Sequence, residues 1–177
     1  MNAVPLRVLA LLALALPGAC GGPSLDGPPD LQAGRDECAE CGMIIMDDRA
    51  CAAVLVEFTG RREHRLFDDL GCLIDFRDQG HADMKELRAF AVDHGDGTWL
   101  DVNDARFVLA DTARLMTPMG SGYIAFAKQN DADHAMTTIG GRTADFNGLA
   151  AARRAWRASL HTPAQPEETT DEERRDP

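Results

Sequence analysis

Positive charge is scarce in this chain of 177 residues: 18 Lys and Arg stand against 29 Asp and Glu, a formal net charge of -11 at pH 7. Nucleic-acid binding needs clustered cations to release counterions, so no nucleic-acid partner is expected. Aromatic residues are also few, at 6% against a hydrophobic fraction of 45%, which suits one modest core or two small ones and excludes a large multidomain enzyme. No apolar run approaches the ~20 residues that a membrane-spanning helix requires. Catalytic signatures are missing too: there is no Walker loop, no His-Glu-x-x-His and no Gly-x-Ser-x-Gly elbow. Gly120-x-Gly122-x-x-Ala125 formally fits a dinucleotide fingerprint, but it enters a strand-like segment, so a phosphate would meet no helix N-terminus. The chain does not read as an enzyme.

The termini carry what is present instead. Arg7 precedes the apolar run Val8 to Leu16, the length of a signal-peptide core, so residues 1–19 read as an export signal. The run ends in Leu16-Pro17-Gly18-Ala19-Cys20, which resembles the cleavage box of bacterial lipoproteins and makes Cys20 the candidate lipidation residue. Pro17 stands where an aliphatic residue is usual. Residues 20–34, rich in Gly, Pro, Asp and Ser, read as a lipid anchor and flexible tether. Residues 161–177 hold Glu167, Glu168, Asp171, Glu172, Glu173 and Asp176 and read as a disordered acidic tail. The folded domain is then 35–160.

Inside it, two periodicities recur in order. Ala50 to Phe58 is small, β-branched and apolar; Gly60 and Arg61 turn the chain; Arg62 to Phe67 alternates charged and apolar residues. That predicts a β-hairpin. Asp68 or Asp69 can cap a helix that places Leu70, Leu73 and Ile74 on one face and stops at Gly80. Leu87 to Asp93 closes a first β-β-α-β unit, at about 45–95. The second half repeats the order at about 99–147: strands at Ala105 to Ala110 and Tyr123 to Ala127, a helix at Asp131 to Ile139 stopped by Gly140-Gly141, and a strand at Arg142 to Phe146. Asn147 can cap a last helix to Leu160, with Leu149, Ala152, Trp156 and Leu160 as its apolar stripe. The expected fold class is therefore α+β, two small related β-β-α-β units packed together with a C-terminal helix.

Sulfur is the chemical signal. Cys38-Ala39-Glu40-Cys41-Gly42-Met43-Ile44-Ile45-Met46 places two thiols and two thioethers within nine residues, and soft donors favour soft ions, Cu(I) first among them. On an extended backbone Cys41 and Met43 would leave the same face and form a pincer, with Gly42 admitting the ion closely. Met119, in the Pro/Gly loop Thr117 to Gly122, is the third candidate ligand, because loops lie at the surface and carry function. Three other uses of the thiols compete. Cys38 and Cys41 could serve a periplasmic thiol-disulfide oxidoreductase, although no buried strand precedes Cys38 as that motif requires. A closed zinc site wants a second Cys-x-x-Cys, which is missing. Cys38, Cys41, Cys51 and Cys72 could instead form disulfides, with Cys51 and Cys72 read as core thiols or as a strand-to-helix bond.

Glu37-Cys38-Ala39-Glu40-Cys41-Gly42-Met43, Phe67-Asp68-Asp69-x-x-Cys72, Trp99 with the strand from Ala105, Pro118-Met119-Gly120, and Gly140-Gly141-Arg142 before Phe146 together resemble the NosL family, copper-binding lipoproteins accessory to nitrous oxide reductase. The similarity spans about Cys20 to Phe146. It implies two related β-β-α-β units and a Cu(I) carrier held in the periplasm by a lipid anchor, at the outer membrane. It further implies that copper passes through a membrane assembly complex to the copper-sulfide centre of the reductase. By matching motif, the resemblance assigns copper to Cys41, Met43 and Met119.

Overall fold

The computed structural model describes residues 25–160. The export signal, Cys20 and the acidic tail lie outside the described residues. None of the described helices is long and apolar enough to cross a membrane.

Among the described residues seven strands and three helices form: the six expected strands and three expected helices in the expected order, and one short additional strand. Strand β1 (Ala52–Phe58) and β2 (Arg61–Phe67) make the hairpin, with Ala52 opposite Phe67 and Phe58 opposite Arg61. Helix α1 (Leu70–Gln79) follows, then β3 (Met84–Val92), which begins three residues earlier than its apolar pattern. A short β4 (Trp99–Asp101) pairs with the end of β3, giving an antiparallel sheet of order β2-β1-β3-β4. Residues 99–101 thus complete the first sheet rather than open the second unit, as their place in the sequence suggests: the turn at 94–98 is tight enough to return the chain antiparallel to β3. In the second sheet β5 (Arg106–Leu109) is central, between β6 (Tyr123–Phe126) and β7 (Arg142–Ala144), and α2 (Gln129–Ile139) connects those two. Helix α3 (Phe146–Leu160) closes the fold.

The two units have the same wiring. In each, the first strand is central, the second pairs on one side, and the strand after the helix pairs on the other, all antiparallel. They meet where β3 ends: Asp93 bridges Ala125 in parallel, the His94 N–H donates to the Ala125 carbonyl at 2.8 Å, and the Ala127 N–H donates to Asp93 Oδ2 at 2.7 Å. One core spans the junction. Val54, Val56, Phe67, Leu73 and Ile74 of the first unit share it with Phe107, Tyr123, Ala125 and Leu149. At ~25 cal/mol per Å2 of apolar surface, this shared burial is the main force holding the units together. A smaller cluster lies under α2 around Val108, Ile124 and Phe126.

Helix ends and edges depart from the sequence reading in three places. Asp145, not Asn147, caps α3: its carboxylate accepts the Gly148 N–H at 2.7 Å, and the helix begins at Phe146. Trp156 does not dock on the core. It is 46% exposed and stacks on the Arg153 guanidinium at 4.3 Å, while Leu149, Ala150 and Arg153 form the inward face. The reason is electrostatic, since Arg153 turns inward to reach Asp75 of α1 with bonds of 2.7 to 3.2 Å. Finally, the described part of the predicted tether is docked on the first sheet. The Asp26 carbonyl accepts from Arg88 at 2.9 Å, the Gly27 carbonyl lies 2.9 Å from His64 Nε2, and Leu31 packs against the core. A Gly/Pro segment binds here through its carbonyls, which composition does not reveal.

Candidate metal centre

The sulfur-rich segment is a tight turn, not an extended strand. Glu37 bridges Ile44, the Cys38 N–H donates to the Met43 carbonyl at 2.8 Å, and the Gly42 N–H donates to the Cys38 carbonyl at 2.9 Å. Gly42 has φ +73°, a left-handed conformation that glycine adopts without steric cost. Fully buried Ile45 fixes one side of the turn, and the Ala39 N–H binds the Leu66 carbonyl at 2.7 Å, setting the turn on the end of β2. The extended pincer is therefore corrected: Gly42 is required for the turn, which sends Cys41 inward and leaves Met43 and Met46 exposed.

Cys41 faces the junction of β2 and α1. There Cys38, Cys41, Cys72 and Asp68 bring one donor atom each to within 4.8 Å of one another. Cys38, Cys72 and Asp68 are buried, whereas Cys41 is half-buried. A surface cleft of about 620 Å3, lined by Glu40, Cys41, Gly42, His64 and Arg65 among others, opens on the turn. Asp68 Oδ2 lies 3.7 Å from the Cys41 sulfur, and its buried Oδ1 has no hydrogen-bond partner among the described residues. A buried carboxylate oxygen without a donor is costly unless a cation meets it. The four described cysteines are free thiols, and Cys51, in the core, donates to the Asp47 carbonyl at 3.2 Å, away from the cluster.

The thiols are unequal. A hydrogen bond from Cys72 lowers Cys38 to about 6, helped by the backbone N–H groups of Cys41, Asp68 and Glu40. The same bond pushes Cys72 up, because its proton is the one shared. Burial pushes Cys41 up to about 11, and the Cys38 sulfur and the Asp68 charge add to the shift. Burial likewise raises Cys51. The arrangement gathers three sulfurs and a carboxylate around one point, donors that a soft cation would complete.

Met119 comes to the same end of α1 from 50 residues away. Asp69 caps that helix by accepting the Gly71 N–H at 2.6 Å with Oδ1, and its Oδ2 accepts the Thr117 hydroxyl at 2.6 Å and the Met119 N–H at 3.1 Å. Gly71 permits the approach: a Cβ there would lie 3.0 Å from Ser121 Cβ and 3.2 Å from the Arg153 guanidinium carbon. Met119 is half-buried against the core that holds Cys38 and Cys72. Of the predicted donors, Cys41 thus lies in the cluster, Met119 is pinned to the helix start beside it, and Met43 lies at the exposed edge of the turn.

Cys72 and Asp68 are the functional candidates that the sequence reading missed. Cys72 is buried like a core thiol, as expected, but it also faces Cys38. The signal is the spacing Asp68-Asp69-x-x-Cys72, which puts a carboxylate just past the end of β2 and a thiol in the first turn of α1 at one junction. Among the described residues no histidine joins the cluster; His64 lines the cleft with Nε2 turned to the Gly27 carbonyl. The Cys-x-x-Cys pair does not start a helix, the position from which a thioredoxin-type site lowers its thiol.

Comparison with known proteins agrees with this picture. A family model described as NosL matches residues 31–153. Among solved structures, the crystal structure of the copper chaperone NosL from Shewanella denitrificans is similar, with a TM-score of 0.52 and 19% identity. The match covers 68% of this chain and 96% of that one. At this identity the likeness establishes the fold: two antiparallel sheets, with helices that include a C-terminal one. No curated protein matches the chain in sequence.

Proposed function

The chain belongs to the NosL family, and from that premise we propose that it is a Cu(I) carrier rather than an enzyme, with copper as cargo. Cys41, Met43 and Met119 are the proposed donors at the surface. In the same reading it is a periplasmic lipoprotein anchored to the outer membrane through Cys20, and it gives its copper to the membrane complex that assembles the copper-sulfide centre of nitrous oxide reductase.

The observation that carries the reading is the convergence at the start of α1. The Cys38–Cys41 turn rests on the end of β2, and the Thr117–Met119 loop is tied to Asp69 one residue after Asp68. Two distant segments that carry soft donors, 38–41 and 117–119, are thus both anchored around the start of α1, and Cys41 remains partly open to solvent. A thiolate with Cu(I) forms a neutral unit, so thioethers complete the shell without adding charge. An open, low-coordinate shell also suits release: a partner's donor adds before the old bonds break, and copper is never free.

Competition titration with a Cu(I) chelator, under anaerobic reducing conditions, tests the assignment. Cys41→Ser should weaken binding at least ~100-fold and Met119→Leu about 10-fold, set against the ~10–100-fold that losing an outer-shell partner of a metal ligand costs. Unchanged affinity in both variants would remove Cys41 and Met119 as donors. Insulin reduction that depends on Cys38 would favour the thiol-disulfide oxidoreductase reading instead.

A further inference from the structure

We propose that Cys38, Cys41 and Cys72 form an inner position for the same ion, sharing Cys41 with the thioether position at the surface; the inference rests on the carrier reading above. The three sulfurs and an Asp68 oxygen lie within 4.8 Å of one another. An ion bound to three sulfurs at about 2.3 Å needs them about 4 Å apart, so side-chain rotations of under about 1 Å close the shell. No backbone rearrangement is required.

Burial gives the pair of positions a direction. Cys38 and Cys72 are each only 2% exposed, whereas Cys41 is half-buried and is the sulfur of the cluster most open to solvent. Met43 lies on the outer side of the turn and Met119 beside the helix start. An ion captured by Cys41 and these thioethers moves inward by exchanging Cu–S(Met) bonds for Cu–S(Cys) bonds, with Cys41 bound throughout. The metal stays Cu(I), and protons leave the thiols for solvent as the thiolates take their place. Packing alone does not account for the cluster, since hydrophobic contact does not ask for a buried carboxylate with an unpaired oxygen set among three sulfurs. Thiolate is the stronger donor to Cu(I), so the inner position is for holding and the outer one for transfer.

The test uses the full chain, reduced and loaded with Cu(I) alone, with alkylation of each cysteine followed by mass spectrometry. Copper should slow alkylation of Cys38, Cys41 and Cys72 at least ~10-fold and leave Cys51, the buried thiol outside the cluster, unchanged. X-ray absorption should count three thiolate sulfurs in the wild type. In Cys72→Ser, copper should still bind, with thioethers in its shell, and a competing chelator should strip it at least ~10-fold faster. Protection of Cys41 alone, with wild-type stripping in Cys72→Ser, would overturn the inner position and leave the carrier intact. Failure of the wild type to take up Cu(I) at all would overturn both. Alkylation of the unmutated chain keeps the proposal testable if Cys72→Ser does not fold.

Discussion

In the first β-β-α-β unit the strand leading into the helix ends at Phe67 and is followed by Asp68-Asp69; in the second it ends at Phe126 and is followed by Ala127-Lys128. Both phenylalanines are buried, and the strand pairing around them is the same. The differences lie in the next two residues. Asp69 caps α1 and ties down the 117–119 loop, whereas Lys128 makes no side-chain cap for α2. Three residues past each cap, the first unit has buried Cys72 and the second has exposed Asp131. The first unit also carries the extra turn Glu37–Ile44 on the end of β2, which delivers Cys38 and Cys41. One topology therefore serves two purposes: the first unit builds the cluster, and the second contributes the loop that approaches it.

The largest expected effect comes from the capping residue. Asp69→Ala removes a cap and leaves the Thr117 hydroxyl and Met119 N–H without their acceptor, which should cost about 3–4 kcal/mol in chemical denaturation. The equivalent Lys128→Ala should change stability by less than about 0.5 kcal/mol. Equal losses would mean that the two junctions are equivalent after all. Next comes the tie between units. Arg153→Ala strands the Asp75 carboxylate on α1, apart from its longer bond to Arg157 at 3.3 Å. It should cost about 3 kcal/mol, because removing one partner of a buried pair leaves the other charge uncompensated. A loss below about 1 kcal/mol would show that α3 is held by its apolar face alone. The smallest effect is at the start of that helix, where Asp145→Ala should lower stability by about 1 kcal/mol through the lost cap and Asn147→Ala should be near neutral.

Much of the fold could be read from local pattern. The hairpin at 52–67, the helix that stops at Gly80 and the strand–helix–strand order of the second half follow from periods of 2 and 3.6 and from glycine stops. What failed was local in another way. Asn147 and Asp145 are both competent caps, and only the backbone path chose between them. Trp156 lies on an apolar stripe, but Asp75 on a different helix drew Arg153 inward and turned the tryptophan out. The cluster is half legible: the Cys-x-x-Cys spacing points to Cys38 and Cys41, which the structure brings together with Asp68 and Cys72, and the Pro/Gly loop points to Met119, whereas Cys72 reads equally as a core thiol or a strand-to-helix bond. The pincer needs an extended backbone at 41–43, and Gly42 bends the chain there instead.

Composition and periodicity by themselves determined the α+β class, the doubled strand–helix order and the soft-donor chemistry, because each depends on neighbours along the chain. The meeting of Cys38 and Cys41 with Asp68 and Cys72, and the tie from Asp69 to Met119, were decided only by tertiary structure. Those contacts join residues 27 to 50 positions apart, and such a distance closes only after β2, α1 and the second sheet have packed around one core.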